Sequence, residues 1–269
     1  MTDPSRTTQP PTETPVAPPR LGRTLRFGFR TAWDSLGFVC ATSLTLFAAL
    51  CVPATLLTVV RIRGLAIAAA LAAYLLLVPP LYGGICWLAH KVFEHDEPSY
   101  ADLWRGFRSL YTKALALGAL QLLVNAVLVA NIVFYLSRPS FVFLLLAIGF
   151  AYGLLFWWTN QVYHWPLLVA ISTGLIRRDD GQTPGLSAVL RNGFVLTVSA
   201  PGYTFALLLL LSVIAIPLTI SGVGLALLAP GIAAFLTTQA ARDQLVRFGV
   251  LDAQPDPDEP IGDERWRME

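Results

Sequence analysis

The chain has 269 residues, of which 55% are hydrophobic and only 13% are charged, and its mean hydropathy is +0.61. A soluble domain carries about 25% charged residues, which cover its surface. The composition therefore excludes an ordinary soluble protein and predicts an integral membrane protein. The formal net charge of +2 identifies no partner by itself, because its meaning depends on where the charges lie.

The two ends of the chain are polar and show no apolar periodicity. Residues 1–19 are rich in Pro and Thr, and residues 249–269 are rich in Asp, Glu and Pro. Such segments bury too little apolar surface to order themselves, so we expect both tails to be disordered. The first apolar run starts only near Leu36, which argues against a signal peptide. Residues 20–248 are then expected to form one transmembrane domain.

Apolar runs long enough to cross a bilayer recur along that domain. A helix of about 20 residues spans the hydrocarbon core, which is about 30 Å thick. The runs cover about 36–60, 65–88, 114–135, 141 onward, 195–216 and 223–241. They predict an all-α, polytopic membrane helix bundle with six transmembrane helices. The links at 61–63 and 137–140 are so short that they predict tight helical hairpins.

The basic residues fix the predicted orientation. With the N-terminus inside, 16 of the 19 Lys and Arg residues fall on inner segments and only Arg61, Arg63 and Arg138 fall outside. Inner loops carry such an excess, so both termini are predicted to be cytoplasmic, in the cell (plasma) membrane. All 17 Asp and Glu residues lie outside the six runs, which argues against an ion-coupled transporter with an intramembrane carboxylate.

Three segments look alike: LRFGFRTAWDSL (25–36), LWRGFRSLY (103–111) and LRNGFVLTV (190–198). Each has Arg and then Gly-Phe shortly before an odd-numbered span. They predict short amphipathic interfacial helices on the cytoplasmic face, with arginines toward lipid phosphates and aromatic rings toward acyl chains. The interfacial basic residues are Arg26, Arg30, Arg105, Arg108 and Arg191. A chance likeness among basic inner loops is the alternative to three repeated hairpin units.

Polar residues inside the spans give a candidate polar site: Gln121, Asn125, Asn160, Gln161 and His164. Amides in hydrocarbon are costly unless bonded, so each one either joins two helices or contacts a ligand. His164 lies in FWWTNQVYHWPLLVA (156–170). This stretch predicts the point where the fourth helix leaves the membrane, with an aromatic anchor. The alternative is a polar site at the mouth of a cytoplasm-facing cavity.

Proline and glycine predict helix breaks or kinks, because proline removes a backbone donor and clashes with the preceding turn. The residues are Pro79, Pro80, Gly83 and Gly84 in the second span and Pro166 in the fourth. A helix that ends at Pro166 would turn residues 167–176 along the inner surface; the alternative is a packed cytoplasmic extension.

The stretch LLLVPPLYGGICWLAHKVFEHDEPSYADLWRGFRSLYTKALALG, which starts at Leu75, resembles the YesL-like family of predicted bacterial integral membrane proteins. The similar features are the proline and small-residue turn, the basic helix end and the segment from Trp104 to Arg108. YHWPLL at 163–168 is also similar. The resemblance implies a six-helix membrane protein often linked to carbohydrate uptake systems, and it implies no catalytic residue.

These patterns favour a non-enzymatic accessory or regulatory component of a membrane complex, such as a carbohydrate uptake system. The alternative is a small permease or lipid-handling protein for a neutral solute. No HExxH motif or cysteine pair with metal-ligand spacing is present, so we expect no metal, cofactor or catalytic residue. The expected partners are the lipid bilayer and a transporter subunit or a second copy of the chain, but no nucleic acid.

Overall fold

The computed structural model describes residues 19–94, 97–138, 140–176 and 185–251. These residues form helices joined by short links, without a β-strand among them. Most of the two predicted tails, at 1–19 and 249–269, lies outside the described residues. The helices are α1 (Leu21–Asp34), α2 (Leu36–Val59), α3 (Arg63–Phe93), α4 (Tyr100–Leu136), α5 (Phe141–Ser172), α6 (Leu186–Ser199), α7 (Pro201–Ile220), α8 (Val223–Leu227) and α9 (Ala229–Arg247).

Five helices, α2, α3, α4, α5 and α7, are long and apolar enough to cross a membrane. The all-helical, multi-span character predicted from composition is therefore confirmed. The run predicted as a sixth span, 223–241, is not one helix, because α8 ends at Leu227 and α9 starts at Ala229. Helix α9, with 19 residues, is long enough for a span but not apolar enough, and much of its surface is buried by its neighbours.

The fifth span begins later than the sequence predicts. We expected it near residue 195, but α6 continues to Ser199 and α7 begins at Pro201. The residue between them, Ala200, has an extended φ of −145°. Proline disfavours the α conformation in the residue before it, and it cannot donate to the carbonyl of the preceding turn. Pro201 therefore separates two helices at this point.

The predicted helix breaks do not occur, so of the two alternatives only a kink within a continuous helix stays a prediction. Pro79, Pro80, Gly83 and Gly84 all lie inside the continuous helix α3, and Pro166 lies inside α5, which continues to Ser172. Neighbouring helices hold the prolines in place.

The contact between Pro79 and α4 shows how a neighbouring helix accommodates a proline. A Cβ atom on Gly118 of α4 would lie 2.5 Å from the Cγ atom of Pro79. The glycine leaves room for the proline ring, so α3 stays helical and packs closely on α4.

The bundle has two different ends. One end, here called the base, holds α1, α6 and the first turns of α4. The other, the loop end, holds the tight links at 60–62 and 137–140. At the base, α4 begins with a capping box: the Ser99 side chain accepts from Ala101 N at 3.3 Å, and the Asp102 side chain accepts from Ser99 N at 3.0 Å. These bonds satisfy helix donors that would otherwise lack partners.

The three Gly-Phe segments share one packing role. A Cβ atom on Gly28 of α1 would lie 2.7 Å from Leu236 Cδ2 of α9. On Gly106 of α4 it would lie 2.6 Å from Trp87 of α3. Each glycine is thus a point of close approach between two helices.

The third glycine behaves in the same way. A Cβ atom on Gly193 of α6 would lie 2.9 Å from Asn160 Oδ1 of α5. The helices form three hairpin units, α1–α3, α4–α5 and α6–α9. Each Gly-Phe segment therefore packs on the last helix of the preceding unit, and the first unit follows the third. The last helices, α3, α5 and α9, contact one another pairwise. The first unit closes on the third, so the three units form a closed ring around these helices.

Helix α1 has a buried face that the sequence analysis did not separate from its other residues. Thr24, Gly28 and Ala32 are buried, on the side that packs on α9. Phe29 and Trp33 are exposed, at 39% and 75% of their surface. The small buried face explains how an amphipathic helix can pack on the bundle and still present aromatic and basic residues outward.

Candidate functional site

A cavity of about 250 Å³ lies between α3, α4 and α5. Each helix contributes one stripe of side chains at helical spacing, as expected for residues on one face. The lining residues are Tyr74, Val78, Pro79 and Tyr82 of α3, Gly118, Gln121, Leu122 and Asn125 of α4, and Gln161 and Trp165 of α5. None of these side chains carries a formal charge at neutral pH.

The polar wall of the cavity is tied together by hydrogen bonds. Gln121 Nε2 lies 3.3 Å from His164 Nδ1. Asn125 Nδ2 donates to the Gln121 carbonyl at 2.8 Å, and Trp158 Nε1 donates to Asn125 Oδ1 at 3.0 Å. The Gln121 amide and the His164 ring are thus within hydrogen-bond distance, and the tautomer of the ring decides which of the two donates. The network orients the amides that face the cavity.

Gln161 differs from the other amides at the cavity. Its Nε2 atom is buried and has no hydrogen-bond partner within the described part of the chain. An unpaired buried donor costs about 1–3 kcal/mol. The packing around the cavity therefore leaves one amide donor unsatisfied.

Aromatic rings form the other wall. Tyr82 and Trp165 pack edge to face, with their ring centroids 5.5 Å apart. Such rings offer apolar area together with a polar tip. The site thus combines amides and aromatic rings, which suits a ligand that is partly apolar and carries uncharged hydrogen-bonding groups.

The base side of the cavity is closed by packing. Leu110, Ala114 and Leu117 of α4 are fully buried, and Gly83 of α3 approaches Leu110 and Ala114. On the loop side the lining faces are open: Leu71, which continues the stripe of α3, is 44% exposed, and Val129, which continues that of α4, is 45% exposed. The cavity therefore opens toward the apolar flanks of the loop half and not through the base.

The polar residues of the fourth span lie elsewhere than predicted. The sequence places Asn160 and His164 at a helix exit, where water and headgroups begin. In the structure they are 4% and 0% exposed and face Gly193 of α6. These side chains are thus packed and not exposed as at a helix end in water, and α5 continues past Pro166 as the packed extension that the sequence left as an alternative, with Leu167 and Leu168 buried.

The structure joins the five residues of the candidate polar site only in part. Gln121, Asn125 and Gln161 line the cavity. His164 does not line it but lies within hydrogen-bond distance of the Gln121 side chain. Asn160 is turned toward α6, and its Oδ1 atom has no hydrogen-bond partner among the described residues. The sequence analysis missed Tyr74, although its spacing of four and eight residues from Val78 and Tyr82 is a stripe on one face of α3.

A second polar cluster, also missed, joins four helices at the base. Thr24 of α1 donates to Asp243 Oδ2 of α9 and lies 2.8 Å from Tyr203 OH of α7. Gln239 Nε2 donates to Asp243 Oδ1 at 2.9 Å. In the same region Tyr163 OH of α5 lies 2.9 Å from an α7 hydroxyl, Thr204 Oγ1. These bonds fix α1 against the body of the bundle.

Charge is only partly balanced in this cluster. Burial raises the pKa of Asp243 above its ordinary value, against the opposing influence of the Thr24 hydrogen bond and of Arg23. Burial also lowers the pKa of the neighbouring Arg242, whose guanidinium lies 5.9 Å from the Phe93 ring. The sequence signal for this polar cluster was the short segment QAARDQ at 239–244, because it places a carboxylate beside small residues that pack closely.

The five basic residues that the sequence places at the membrane interface are exposed on α1, α4 and α6. The exposed set comprises Arg26, Arg30, Arg105, Arg108 and Arg191. Arg105 Nη1 donates to Asp102 Oδ1 at 3.3 Å. The Arg108 guanidinium lies 5.0 Å from the Trp104 ring centroid, a distance typical of a cation–π contact.

Introducing a charge distinguishes a buried Asn160 from one at a lipid–water boundary. Asn160→Lys should sharply reduce the yield of folded protein, because the ammonium would be buried beside Gly193 without a counter-charge. Thr112→Lys is the matched control, since Thr112 is exposed near the base. Monodisperse yield in mild detergent measures both. A folded Asn160→Lys protein would restore the boundary placement that the sequence predicted.

Comparison with known proteins finds no match to this chain among protein-family models, curated proteins or solved structures, so the resemblance to the YesL-like family stays a prediction.

Proposed function

We propose that this chain is a membrane protein that binds a neutral, partly apolar solute in the cavity between α3, α4 and α5, as a small permease or lipid-handling protein. The observation that carries the proposal is the lining of that cavity, which combines three amide side chains with aromatic rings and holds no charged group. Such a lining suits a ligand that is partly apolar and carries uncharged hydrogen-bonding groups.

The proposal includes a topology with six crossings and both termini in the cytoplasm, in the plasma membrane. The sixth crossing would be made by α8 and α9 together. The support is that α9 contacts α1, α2, α3, α5 and α7, because a helix wrapped by others needs no apolar outer face. The base, which carries the exposed arginines, would face the cytoplasm, and α1 and the first turns of α4 would lie at the headgroups.

The function is tested by ligand-induced stabilisation. Purified protein in mild detergent is heated with a panel of neutral sugars, polyols and uncharged lipids. A ligand at 100 times its dissociation constant stabilises a protein by about 2.7 kcal/mol, which is readily seen as a rise in unfolding temperature. We expect at least one neutral compound to stabilise the wild type, and the double variant Gln121→Leu/Gln161→Leu to lose that response.

The control is Asn131→Leu, which removes an amide of α4 that bonds only to the Val127 carbonyl and lies outside the cavity. It should respond like the wild type. A panel without any stabilising compound, or an equal response from the double variant, would contradict the proposal.

The accessory role expected from the sequence remains a second proposal. It is favoured by the exposed arginines and aromatic rings at the base, which offer a surface for another subunit as well as for lipid. A pull-down in mild detergent tests it. Recovery of a transporter subunit at stoichiometric amounts, lost when Arg105 and Arg108 become Glu, would support an accessory role; an unaccompanied chain would count against it.

A further inference from the structure

From the depth, the surroundings and the charge of the cavity we infer a class of ligand. It is an uncharged lipid with a small oxygen-bearing head, such as a diacylglycerol, that enters sideways from the bilayer. This inference rests on the proposed function, because it concerns the same cavity. It differs from a water-soluble neutral solute in its route and in its need for a hydrocarbon chain.

The first support is depth. Gln161 is the 21st residue of α5 counted from Phe141, about 30 Å from the loop end at 1.5 Å per residue. Gln121 lies about 23 Å from the loop end of α4 by the same measure. The amides therefore lie near the base side of a hydrocarbon core about 30 Å thick. A lipid of the base-side leaflet has its head at that depth and its chains directed toward the loop end.

The second support is the route. The packed layer of Leu110, Ala114 and Leu117 closes the base side of the cavity, so the cavity has no opening to water there. On its loop side the two lining stripes continue as exposed apolar residues, Leu71 of α3 and Val129 of α4, at 44% and 45% exposure. In a bilayer these residues face acyl chains. A molecule already dissolved in the membrane reaches the amides without crossing an apolar barrier.

The third support is charge. Phosphate-bearing heads need a cationic partner when they leave water, since an unpaired buried charge is very costly. The cavity lining offers no Lys, Arg or His side chain, while Gln121, Asn125 and Gln161 offer amide groups. Hydroxyl and ester oxygens match these amides. The lining thus favours an uncharged head over that of a phospholipid.

Photo-cross-linking in lipid nanodiscs tests the inference. The full-length protein is reconstituted in phosphatidylcholine with a trace of diacylglycerol that carries a diazirine next to its head, and cross-linked peptides are identified by mass spectrometry. We expect labelling of residues 118–125 and 158–165, competed by unlabelled diacylglycerol and reduced at least fivefold in Gln121→Leu/Gln161→Leu. The matched variant Asn131→Leu should be labelled like the wild type, and thermal unfolding confirms that both variants fold.

A diazirine phosphatidylcholine reports the ordinary lipid shell. The inference is overturned if it labels the same peptides equally, or if unlabelled diacylglycerol does not compete. In the latter case, stabilisation by a sugar or polyol that depends on Gln121 and Gln161 would leave the proposed function standing with a water-soluble ligand. Failure of both measurements would remove the function as well as the lipid.

Discussion

Replacing Gly84 with alanine is expected to destabilise the protein more than a methyl group normally does. The new Cβ atom would lie 2.7 Å from the Leu103 carbonyl oxygen and 3.2 Å from the Phe107 nitrogen, both backbone atoms of α4. Backbone atoms cannot rotate away from the new methyl group as the end of a side chain can. Helices α3 and α4 must therefore separate. Overpacking of this kind costs about 1–3 kcal/mol, and Gly106→Ala, on the facing helix, should behave likewise. Thermal unfolding in detergent, followed by size-exclusion chromatography, measures the loss.

Two glycines in the same set of helices serve as controls. A Cβ atom on Gly64 of α3 or Gly149 of α5 would meet nothing within 4 Å. Alanine has a higher helix propensity than glycine, by roughly 1 kcal/mol in a helix interior. Gly64→Ala and Gly149→Ala should therefore leave stability unchanged or raise it. Equal effects at all four positions would show that α3 and α4 do not approach each other closely at Gly84.

Replacing Asp243 with leucine is expected to release α1 from the bundle. The change removes the acceptor of Thr24 and Gln239. Leaving a buried donor without a partner costs about 1–3 kcal/mol. Because α1 carries Arg23, Arg26 and Arg30, its release should expose new trypsin sites. Limited trypsin digestion in detergent, read by mass spectrometry, measures the effect.

The conservative variant Asp243→Asn keeps one acceptor and should keep α1 protected. It also tests a pH dependence. Since burial raises the pKa of Asp243 in the folded protein, the resulting stabilisation is fully present below the ordinary aspartate pKa. It is lost as the pH rises through the raised value. Trypsin sensitivity of the wild type should grow over that range while Asp243→Asn stays flat. Equal protection of α1 in Asp243→Leu would contradict the role of this cluster.

Composition and hydropathy were sufficient to predict the all-helical membrane character, because a chain so poor in charge cannot cover a soluble surface. They were poor guides to the last helix. The residues of α9 are mixed in polarity, and only their neighbours reveal that Phe235 and Gln239 are buried. A hydropathy window detects helices whose surface faces lipid. A helix surrounded by other helices has no such surface.

Proline was misread for a related reason. Its local cost is a missing donor and a steric clash, and both can be offset by what packs against it. At Pro79 that partner is Gly118, 39 residues later in the chain. No local rule connects the two positions. The same limit applied to Asn160 and His164, whose burial depends on Gly193 of α6 and not on their own aromatic neighbours.

The candidate site was predictable in its α4 part. Gln121 and Asn125 stand four residues apart and therefore share a face, and the structure places both at the cavity. The contribution of α3 was not predicted, because Tyr74 and Tyr82 are ordinary residues of an apolar helix until α4 and α5 are placed beside them. Asp243 was overlooked because the sixth span was drawn to end at residue 241.

The central claim is that three hairpin units close into a ring in which the first helix packs on the last. Gly28→Cys paired with Gln239→Cys tests it, in a chain whose Cys40, Cys51 and Cys86 are replaced by alanine. A Cβ atom at position 28 would lie 3.8 Å from that of Gln239, a separation typical of disulfides.

Mild oxidation should give an intramolecular disulfide in most molecules, seen as a gel shift that a reductant reverses. Gly22→Cys paired with Gln239→Cys should give none, because nothing lies within 4 Å of a Cβ atom at Gly22. Absence of the disulfide from the first pair, in protein that is folded and membrane-inserted, would contradict the closed ring.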